Sequence, residues 1–313
     1  MNESFAYASG VQYVKPKIRL EGVIAAMVTP FQKNGDLNID AMKTLVEWLI
    51  SKGVQGIFPI SSVGETAKLT MEEKKRLIRV TVDSANGRAL VMPGTGFPDQ
   101  RRTEELTKYA KEVGADAALI VQPYYQRPSA EILYDYFKAI NDAVNDFPLL
   151  LYNIPFWCGY ELSPEMISTL SRLRNIVGVK DSGMNMINFN LTLHLVRKKI
   201  AVLQGADMLF LPSLVLGCPG GILAGANIVP ELELEIYNSF IKGNLEDAKA
   251  MHDALLPLWL ALEDYGSFPS LFKEAVAARG IPVGPARKPA RPPTLKQKER
   301  LRQVLMQLQV VEG

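Results

Sequence analysis

The stretch from residue 149 to residue 181 reads LLLYNIPFWCGYELSPEMISTLSRLRNIVGVKD. It contains two short apolar runs, Leu149–Ile154 and Ile176–Val179, separated by a longer and more polar segment. Short runs that are apolar throughout are typical of buried parallel strands, because both faces of such a strand are covered. The stretch therefore predicts one strand–helix–strand unit of a parallel sheet.

The same alternation continues in both directions from this unit. Six further apolar runs are separated by segments with helical periodicity, such as Asp40–Ser51, Met71–Ala85 and Thr103–Val113. The six runs are Val23–Val28, Gly56–Ile60, Ala89–Pro93, Ala117–Val121, Ala201–Leu203 and Gly221–Leu223. Eight strands alternating with helices predict an α/β fold of the (β/α)8 TIM-barrel type.

The chain after the eighth run shows no further strand signal. Residues 231–279 have helical periodicity, and a Pro-rich basic connector, Pro282–Pro293, precedes a last predicted helix near Leu295–Leu308. The barrel is therefore expected to carry a C-terminal helical extension. The expected division is an N-terminal arm (residues 1–20), a barrel (residues 21–230) and a C-terminal helical region (residues 231–313).

Composition and charge exclude several classes of protein. Lys and Arg number 35 against 33 Asp and Glu, and the formal charge of +2 gives no strong field for nucleic acid or an anionic membrane. Apolar residues make up 48% and charged residues 22%, which is typical of a globular chain with a large core. We expect neither nucleic acid nor a membrane among the partners.

Two segments bear on location. The uncharged run Met208–Pro230 is long enough to span a bilayer, but its prolines and glycines favour buried strand and loop instead. The segment Met1–Lys17 has Glu3 near its start and lacks the apolar core of a secretory signal. A cytoplasmic location is expected.

Cysteine and histidine are too few and too scattered for a metal centre built on them. The two cysteines are Cys158 and Cys218, and the two histidines are His194 and His252. Zinc ligands need close spacing, which these residues lack. The sequence predicts neither a metal site nor a disulfide framework.

The carboxyl ends of barrel strands are where such folds place their chemistry. The sixth run is followed by Lys180, whose amine would lie at the mouth of a desolvated pocket; desolvation favours the neutral amine that attacks a carbonyl. A lysine whose ammonium extends into solvent remains an alternative.

The second run is followed by the hydroxyl-rich turn Ser61–Thr66, which could hold a carboxylate or form an ordinary polar loop.

Several motifs, taken in order, give these features a family context. From Gly22 to Arg279 the chain resembles the pyruvate-dependent class I aldolases, a family that includes dihydrodipicolinate synthase, N-acetylneuraminate lyase and 2-keto-3-deoxy-sugar-acid aldolases such as 2-keto-3-deoxygluconate aldolase. The motifs are Met27–Phe31 with Gly35, Gly64-Glu65, Gln122–Tyr125 before Pro128-Ser129, Tyr152–Pro155, Gly178–Asp181 and Gly220–Ile222.

The resemblance implies a role for each matching residue. Lys180 would form a Schiff base with a 2-keto acid such as pyruvate, and Tyr152 would move protons to and from the reacting groups. Ser62 would link Tyr152 to Tyr125 of a neighbouring subunit. The residues expected to bind the substrate are Val63 and Leu223 through their main-chain amides, together with Gly64, Trp157 and Gly205.

Two departures from the family pattern bear on the second substrate. Dihydrodipicolinate synthases have a carboxylate-binding arginine at the position of Trp157, so aspartate semialdehyde is expected to be a poor acceptor. Met208 follows Asp207 where the sialic-acid lyases have an acidic residue. With Phe156 and Val63 these side chains predict a pocket less polar than a typical sugar-acid site.

The resulting hypothesis is an enzyme, a carbon–carbon lyase that joins or cleaves pyruvate and an aldehyde, with 2-keto-3-deoxy-sugar acids favoured. The alternatives are 4-hydroxy-tetrahydrodipicolinate synthesis, dehydration of a keto-deoxy-sugar acid, and a non-catalytic barrel that binds a keto acid. No metal or organic cofactor is expected, because the lysine imine would supply the electron sink. The aromatic segment around Tyr125 predicts a homotetramer built as a dimer of dimers.

Overall fold

The computed structural model describes residue 15, residues 17–262, residue 266 and residues 268–312. Most of the predicted arm, residues 1–20, lies outside the described residues. The strands are β1 (Gly22–Ala26), β2 (Gly56–Phe58), β3 (Leu90–Val91), β4 (Ala118–Val121), β5 (Leu149–Asn153), β6 (Ile176–Asp181), β7 (Ala201–Gln204) and β8 (Gly220–Leu223). Each falls on one of the eight predicted runs.

The predicted barrel is confirmed. All strand pairs are parallel, and the sheet has the order β3-β2-β1-β8-β7-β6-β5-β4. The two outer strands approach each other just beyond β3, where the Leu119 N–H donates to the Pro93 carbonyl at 3.0 Å and the Thr95 N–H donates to the Leu119 carbonyl at 3.0 Å. These bonds close the sheet on itself, so the carboxyl ends of all the strands meet at one rim.

The strands are buried over nearly their whole length, because barrel residues cover one face and helices cover the other. The helices of the barrel half of the chain are α1 (Ile39–Ser51), α2 (Met71–Ala85), α3 (Gln100–Glu112), α4 (Ala130–Ala143), α5 (Pro155–Cys158), α6 (Pro164–Leu170), α7 (Met186–Val196) and α8 (Phe210–Val215). Local sequence fixes where several of them begin. Thr70 and Glu73 form a reciprocal capping box at α2, and the Asp99 carboxylate accepts from the Arg102 N–H at the start of α3.

Four helices complete the described chain, and these are α9 (Pro230–Ile241), α10 (Leu245–Leu262), α11 (Ser270–Ala278) and α12 (Leu295–Gln307). Helix α9 follows β8 and packs against β1, so it covers the last side of the barrel. The division proposed at residue 231 therefore runs through the first turn of α9. Helix α10 packs against α9, and α12 packs against both α10 and α11.

A buried cluster of charges joins the C-terminal region to the loop after β2. Glu65 accepts hydrogen bonds from Lys273 Nζ of α11 at 3.1 Å, from Lys68 Nζ at 2.9 Å and from the Arg287 N–H at 2.9 Å. The Lys273 ammonium also lies 4.2 Å from the centre of the Phe31 ring. Burial lowers the pKa of Lys273 to about 8, although the Glu65 charge opposes the shift. We call Glu65, Lys68, Lys273 and Arg287 the C-terminal clamp.

In the part of the chain that the structure describes, no helix has the length and apolar character needed to cross a bilayer. The uncharged run Met208–Pro230 contains β8 and the short helix α8, with turns between them.

Candidate active site

Lys180 lies near the carboxyl end of β6 and is the centre of the site. Its register partners are Tyr152 in β5 and Leu203 in β7. The residue is only 4% exposed, and its Nζ lies 4.5 Å from the centre of the Tyr152 ring and 4.9 Å from that of Phe58. The amine is therefore held among aromatic rings inside the barrel mouth, and it does not extend into solvent.

Lys180 lines a cavity of about 170 Å³ at the rim of the barrel. Five of the residues predicted to take part in catalysis or to bind the substrate line it as well: Ser62, Val63, Tyr152, Trp157 and Gly205. The predicted pocket side chains Phe156 and Met208 also line it. The structure thus brings together residues from four strand ends that are up to 143 positions apart in the chain, from Ser62 to Gly205.

The hydroxyl groups of Tyr152 and Ser62 face each other across the cavity wall. The Tyr152 Oη and Ser62 Oγ are 3.4 Å apart, and either group can be the donor. Tyr152 is 5% exposed, and its ring meets the Phe58 ring edge-on at 6.0 Å. The phenol is thus fixed beside the lysine with a second hydroxyl in reach, which is an arrangement suited to passing protons.

Gly64 shapes the loop after β2 but does not line the cavity. Its N–H donates to Ser61 Oγ at 3.0 Å, and its carbonyl accepts from Thr29 Oγ1 at 2.6 Å. A Cβ at this position would lie 2.7 Å from the Met27 carbonyl oxygen, so only glycine fits. Gly64 thereby holds the neighbouring Val63 against the cavity.

Gly205 and Leu223 were both predicted at the site, and the structure places them differently. A Cβ on Gly205 would lie 2.8 Å from Lys180 Cε, so glycine is needed for the lysine to reach the cavity. Leu223 is fully buried in β8, and the next two residues, Ala224 and Gly225, line the cavity in its place.

Tyr125, the fourth predicted catalytic residue, lines neither cavity of its own chain. Its side chain is 96% exposed. Its backbone has a φ of 76°, a value that residues other than glycine seldom adopt. The preceding Tyr124 is partly buried against the core. The loop thus directs one tyrosine inwards and the other outwards.

A polar network supports the strand end that carries the lysine. The Asp181 carboxylate accepts from the Gly183 N–H at 2.7 Å and from Asn153 Nδ2 at 3.3 Å. Burial raises the pKa of Asp181 to about 6, although these two hydrogen bonds oppose the rise. The Ser182 N–H donates to the Asn153 carbonyl at 2.8 Å, which fixes the turn after Lys180.

The outer part of the cavity is aromatic. The Trp157 ring lies 4.7 Å from that of Phe156 and 5.4 Å from that of Phe268, and Phe268 lies 5.8 Å from Phe272. Among the described residues that line the cavity, the charged side chains are Lys180 and Asp207. Among the described lining residues, this aromatic part of the wall therefore offers no cationic side chain to a second carboxylate.

Sequence reasoning missed the contribution of the C-terminal region to this wall. Trp259 and Leu262 of α10 line the cavity, as do Phe268 and Phe272. Their only sequence signal is ordinary helical periodicity, because their place at the site depends on packing between distant segments.

A second cavity, of about 480 Å³, adjoins the first. Ser62, Tyr152, Trp157 and Phe268 line both of them. Tyr124, Gly94 and Gly96 also line the second cavity, whereas Tyr125 of the same chain does not. The hydroxyl pair of Ser62 and Tyr152 can thus be approached from two directions.

Within the described residues, no group of three or more His, Cys, Asp or Glu side chains is placed to hold a metal ion.

The sequence of this chain is similar to those of known proteins over nearly its whole length. A sequence model of the dihydrodipicolinate synthetase family matches residues 19–308. A DapA-like lyase of Pyrobaculum islandicum, described as uncharacterized, is 40% identical, and the match covers 94% of this chain and all of that protein. The 4-hydroxy-tetrahydrodipicolinate synthase of Methanothrix thermoacetophila is 35% identical over 93% of this chain and 98% of its own length.

Solved structures have the same fold. Dihydrodipicolinate synthase from Aquifex aeolicus superposes with a TM-score of 0.89 at 32% identity, over 94% of this chain and all of that one. YagE from Escherichia coli K12, a member of the dihydrodipicolinic acid synthase family solved in complex with pyruvate, has a TM-score of 0.89 at 31% identity. That match covers 93% of this chain and 99% of YagE.

Proposed function

The chain belongs to the dihydrodipicolinate synthetase family, and from this premise we propose that it is a carbon–carbon lyase. In the proposed reaction, the enzyme joins pyruvate to an uncharged aldehyde, or cleaves the product of that reaction, through a Schiff base on Lys180. The observation that carries the proposal is the buried Lys180 amine, 4.5 Å from the ring of its register partner Tyr152. Substrates of the 2-keto-3-deoxy-sugar-acid type fit this description.

The proposed reaction uses groups already near each other. The Lys180 amine adds to the ketone carbon of pyruvate, and the resulting carbinolamine loses water to give a protonated imine. Loss of a proton from the methyl carbon then gives an enamine, which attacks the aldehyde carbon. Water finally releases the product and restores the amine. Tyr152 supplies and removes protons at the carbinolamine and the new alkoxide, and Ser62 hydrogen-bonds to its phenol.

The pyruvate carboxylate needs donors close to the lysine. We assign this role to the main-chain amides of the loop that contains Val63 and of Ala224, the residue after Leu223, because both line the cavity together with Lys180. Oriented amides of this kind bind an anion without a cationic side chain, which is consistent with the few charges of the cavity wall.

Borohydride reduction in the presence of pyruvate tests the Schiff base directly. We expect a stable mass increase on a peptide that contains residue 180, equal to one pyruvate joined to the lysine through a reduced imine. The products from a keto-deoxy-sugar acid then separate the reaction types, since an aldolase releases pyruvate and an aldehyde whereas a dehydratase gives a dehydrated keto acid. A barrel that merely binds a keto acid would give neither product.

Trp157 is the basis of the prediction about the second substrate. We expect kcat/KM with aspartate semialdehyde to be below that with glyceraldehyde, because an aromatic ring cannot make the paired hydrogen bonds that an arginine makes to a carboxylate. Trp157→Arg should raise the relative value for the semialdehyde roughly tenfold or more.

Ile241→Arg is the matched control, since Ile241 is 58% exposed at the end of α9 and lines neither cavity. Steady-state kinetics with both aldehydes measure the effect. A wild-type protein that prefers the semialdehyde would instead favour 4-hydroxy-tetrahydrodipicolinate synthesis, the activity by which the Methanothrix relative is named.

We also propose that the protein is a homotetramer, a dimer of dimers in which Tyr125 enters the partner's second cavity and meets its Ser62–Tyr152 pair. The 96% exposure of Tyr125 supports this, because a large ring in water is unfavourable in a monomer. A separate exposed apolar surface lies on α7 and consists of Ile187, Leu191 and Leu195. These residues are four positions apart and are 74%, 47% and 39% exposed. Two separate apolar surfaces are what a dimer of dimers requires.

Subunit mixing tests the role of Tyr125. Tyr125→Phe should slow turnover while light scattering still gives a tetramer, and Lys180→Ala should be inactive. Mixed oligomers of the two variants should regain activity, because a Tyr125→Phe subunit with an intact lysine would receive Tyr125 from its neighbour. Mixtures no more active than the sum of their parts would place Tyr125 outside the partner's site.

A further inference from the structure

A close pair of carboxyl groups lies at the cavity wall, and the reaction proposed above does not use it. Asp207 follows β7 and lines the cavity, while Glu233 is fully buried in α9. Gly225 lies between them, and its N–H donates to Asp207 Oδ1 at 2.6 Å. A Cβ on Gly225 would be 2.6 Å from both Asp207 Oδ1 and Glu233 Oε1, so the two carboxyl groups are close neighbours that need a glycine beside them.

Two carboxylates this close in a buried place cannot both be ionised. Burial, and next the charge of Asp207, raise the pKa of Glu233 well above its ordinary range. Burial also raises the pKa of Asp207, but hydrogen bonds from Gly225 and Glu233 and the charge of Lys180 act in the opposite direction. Glu233 is fully buried whereas Asp207 lines the cavity, so we assign the shared proton to Glu233, whose O–H can then donate to an Asp207 carboxylate.

The pair is fixed from the other side by α10. Trp259 Nε1 donates to Glu233 Oε1 at 3.4 Å, and the Trp259 ring itself lines the cavity. Glu233 is therefore held between a donor in the C-terminal region and an acceptor at the cavity.

We propose that Glu233 is a positioning residue whose protonated carboxyl keeps Asp207 ionised and directed into the cavity, where the Asp207 charge stabilises the protonated imine on Lys180. This inference rests on the proposed Schiff base. It adds one electrostatic interaction to the mechanism: the cation that forms on Lys180 during the reaction shares its cavity with the Asp207 carboxylate, and a neutral acid holds that carboxylate in place.

Exchange of the pyruvate methyl hydrogens for deuterium tests the inference without any aldehyde, because exchange requires the imine and the enamine. Followed by NMR in deuterated buffer, Glu233→Leu should slow exchange roughly tenfold to a hundredfold, the range for loss of a hydrogen bond to a charged group. Glu233→Gln should stay close to the wild-type rate, since its amide still donates to Asp207 and its oxygen still accepts from Trp259. The exposed Glu235 of the same helix gives the matched control, Glu235→Leu.

A double variant separates positioning from a general loss of structure. If Glu233 acts through Asp207, Asp207→Asn alone should slow exchange, and adding Glu233→Leu should slow it no further. Equal damage from Gln and Leu at position 233, an additive effect in the double variant, or a wild-type rate in Asp207→Asn would each overturn the inference. Absence of a borohydride-trapped adduct in the wild-type protein would instead overturn the proposed Schiff base, so the two failures are distinguishable.

Discussion

Lys180→Ala is expected to abolish the pyruvate adduct that borohydride traps, and with it all turnover. The amine supplies the nitrogen of the imine, and without it no electron sink exists for the carbon–carbon bond. Mass spectrometry of the reduced protein, followed by peptide mapping, measures the result.

The buried position of Lys180 requires a control for folding. Lys180→Met keeps most of the side-chain volume and should give the same loss with a normal thermal unfolding transition. Lys138→Ala is a suitable surface control, because this lysine is half exposed on α4 and pairs only with its helix neighbour Asp142 among the ion pairs of the described chain. An adduct of undiminished yield on another lysine in Lys180→Ala would show that the assignment is wrong.

Tyr152→Phe is expected to lower kcat roughly 10²-fold or more, which is the usual contribution of a positioned acid or base. The ring would still pack against Phe58 and beneath the lysine, so pyruvate binding and the trapped adduct should persist at saturating pyruvate. The loss should therefore fall on kcat more than on KM. Single-turnover measurements of imine formation and of product release locate the slowed step.

Tyr109→Phe serves as the control for the loss of a phenol, because Tyr109 lies on α3 and its hydroxyl accepts from Arg79 at the surface. Unchanged turnover in Tyr152→Phe would remove the phenol from the mechanism. Ser62→Ala should then be examined beside it, since the Ser62 hydroxyl is 3.4 Å from that phenol.

The barrel could be predicted because its signals are local. Each strand is an apolar run bounded by polar segments, and parallel order follows from the alternation of strands and helices. The strand boundaries moved by a residue or two, as at β3, which spans Leu90–Val91 within the predicted Ala89–Pro93. Pro93 has no N–H to donate to a neighbouring strand. Its carbonyl oxygen instead accepts a hydrogen bond from the Leu119 N–H of β4.

The site was predictable to the extent that it is built from strand ends. Lys180, Tyr152 and Gly205 follow directly from the β5–β6–β7 register, and a one-residue shift separates the predicted Leu223 from Ala224, which lines the cavity. Phe272 and Glu233 come from helices packed over the rim, and no local pattern marks which of their neighbours will face a cavity. Such residues become visible only when distant segments are placed together.

The C-terminal clamp makes two distant parts of the chain thermodynamically dependent on each other. Glu65 belongs to the loop that carries Ser62 and Val63, and its partners Lys273 and Arg287 come from α11 and the connector beyond it. Linkage is reciprocal: if docking of the C-terminal region favours the binding-competent form of the loop by some factor, occupancy of the cavity favours docking by that same factor. Ligand affinity and the local unfolding of the last helices are then two measurements of one equilibrium.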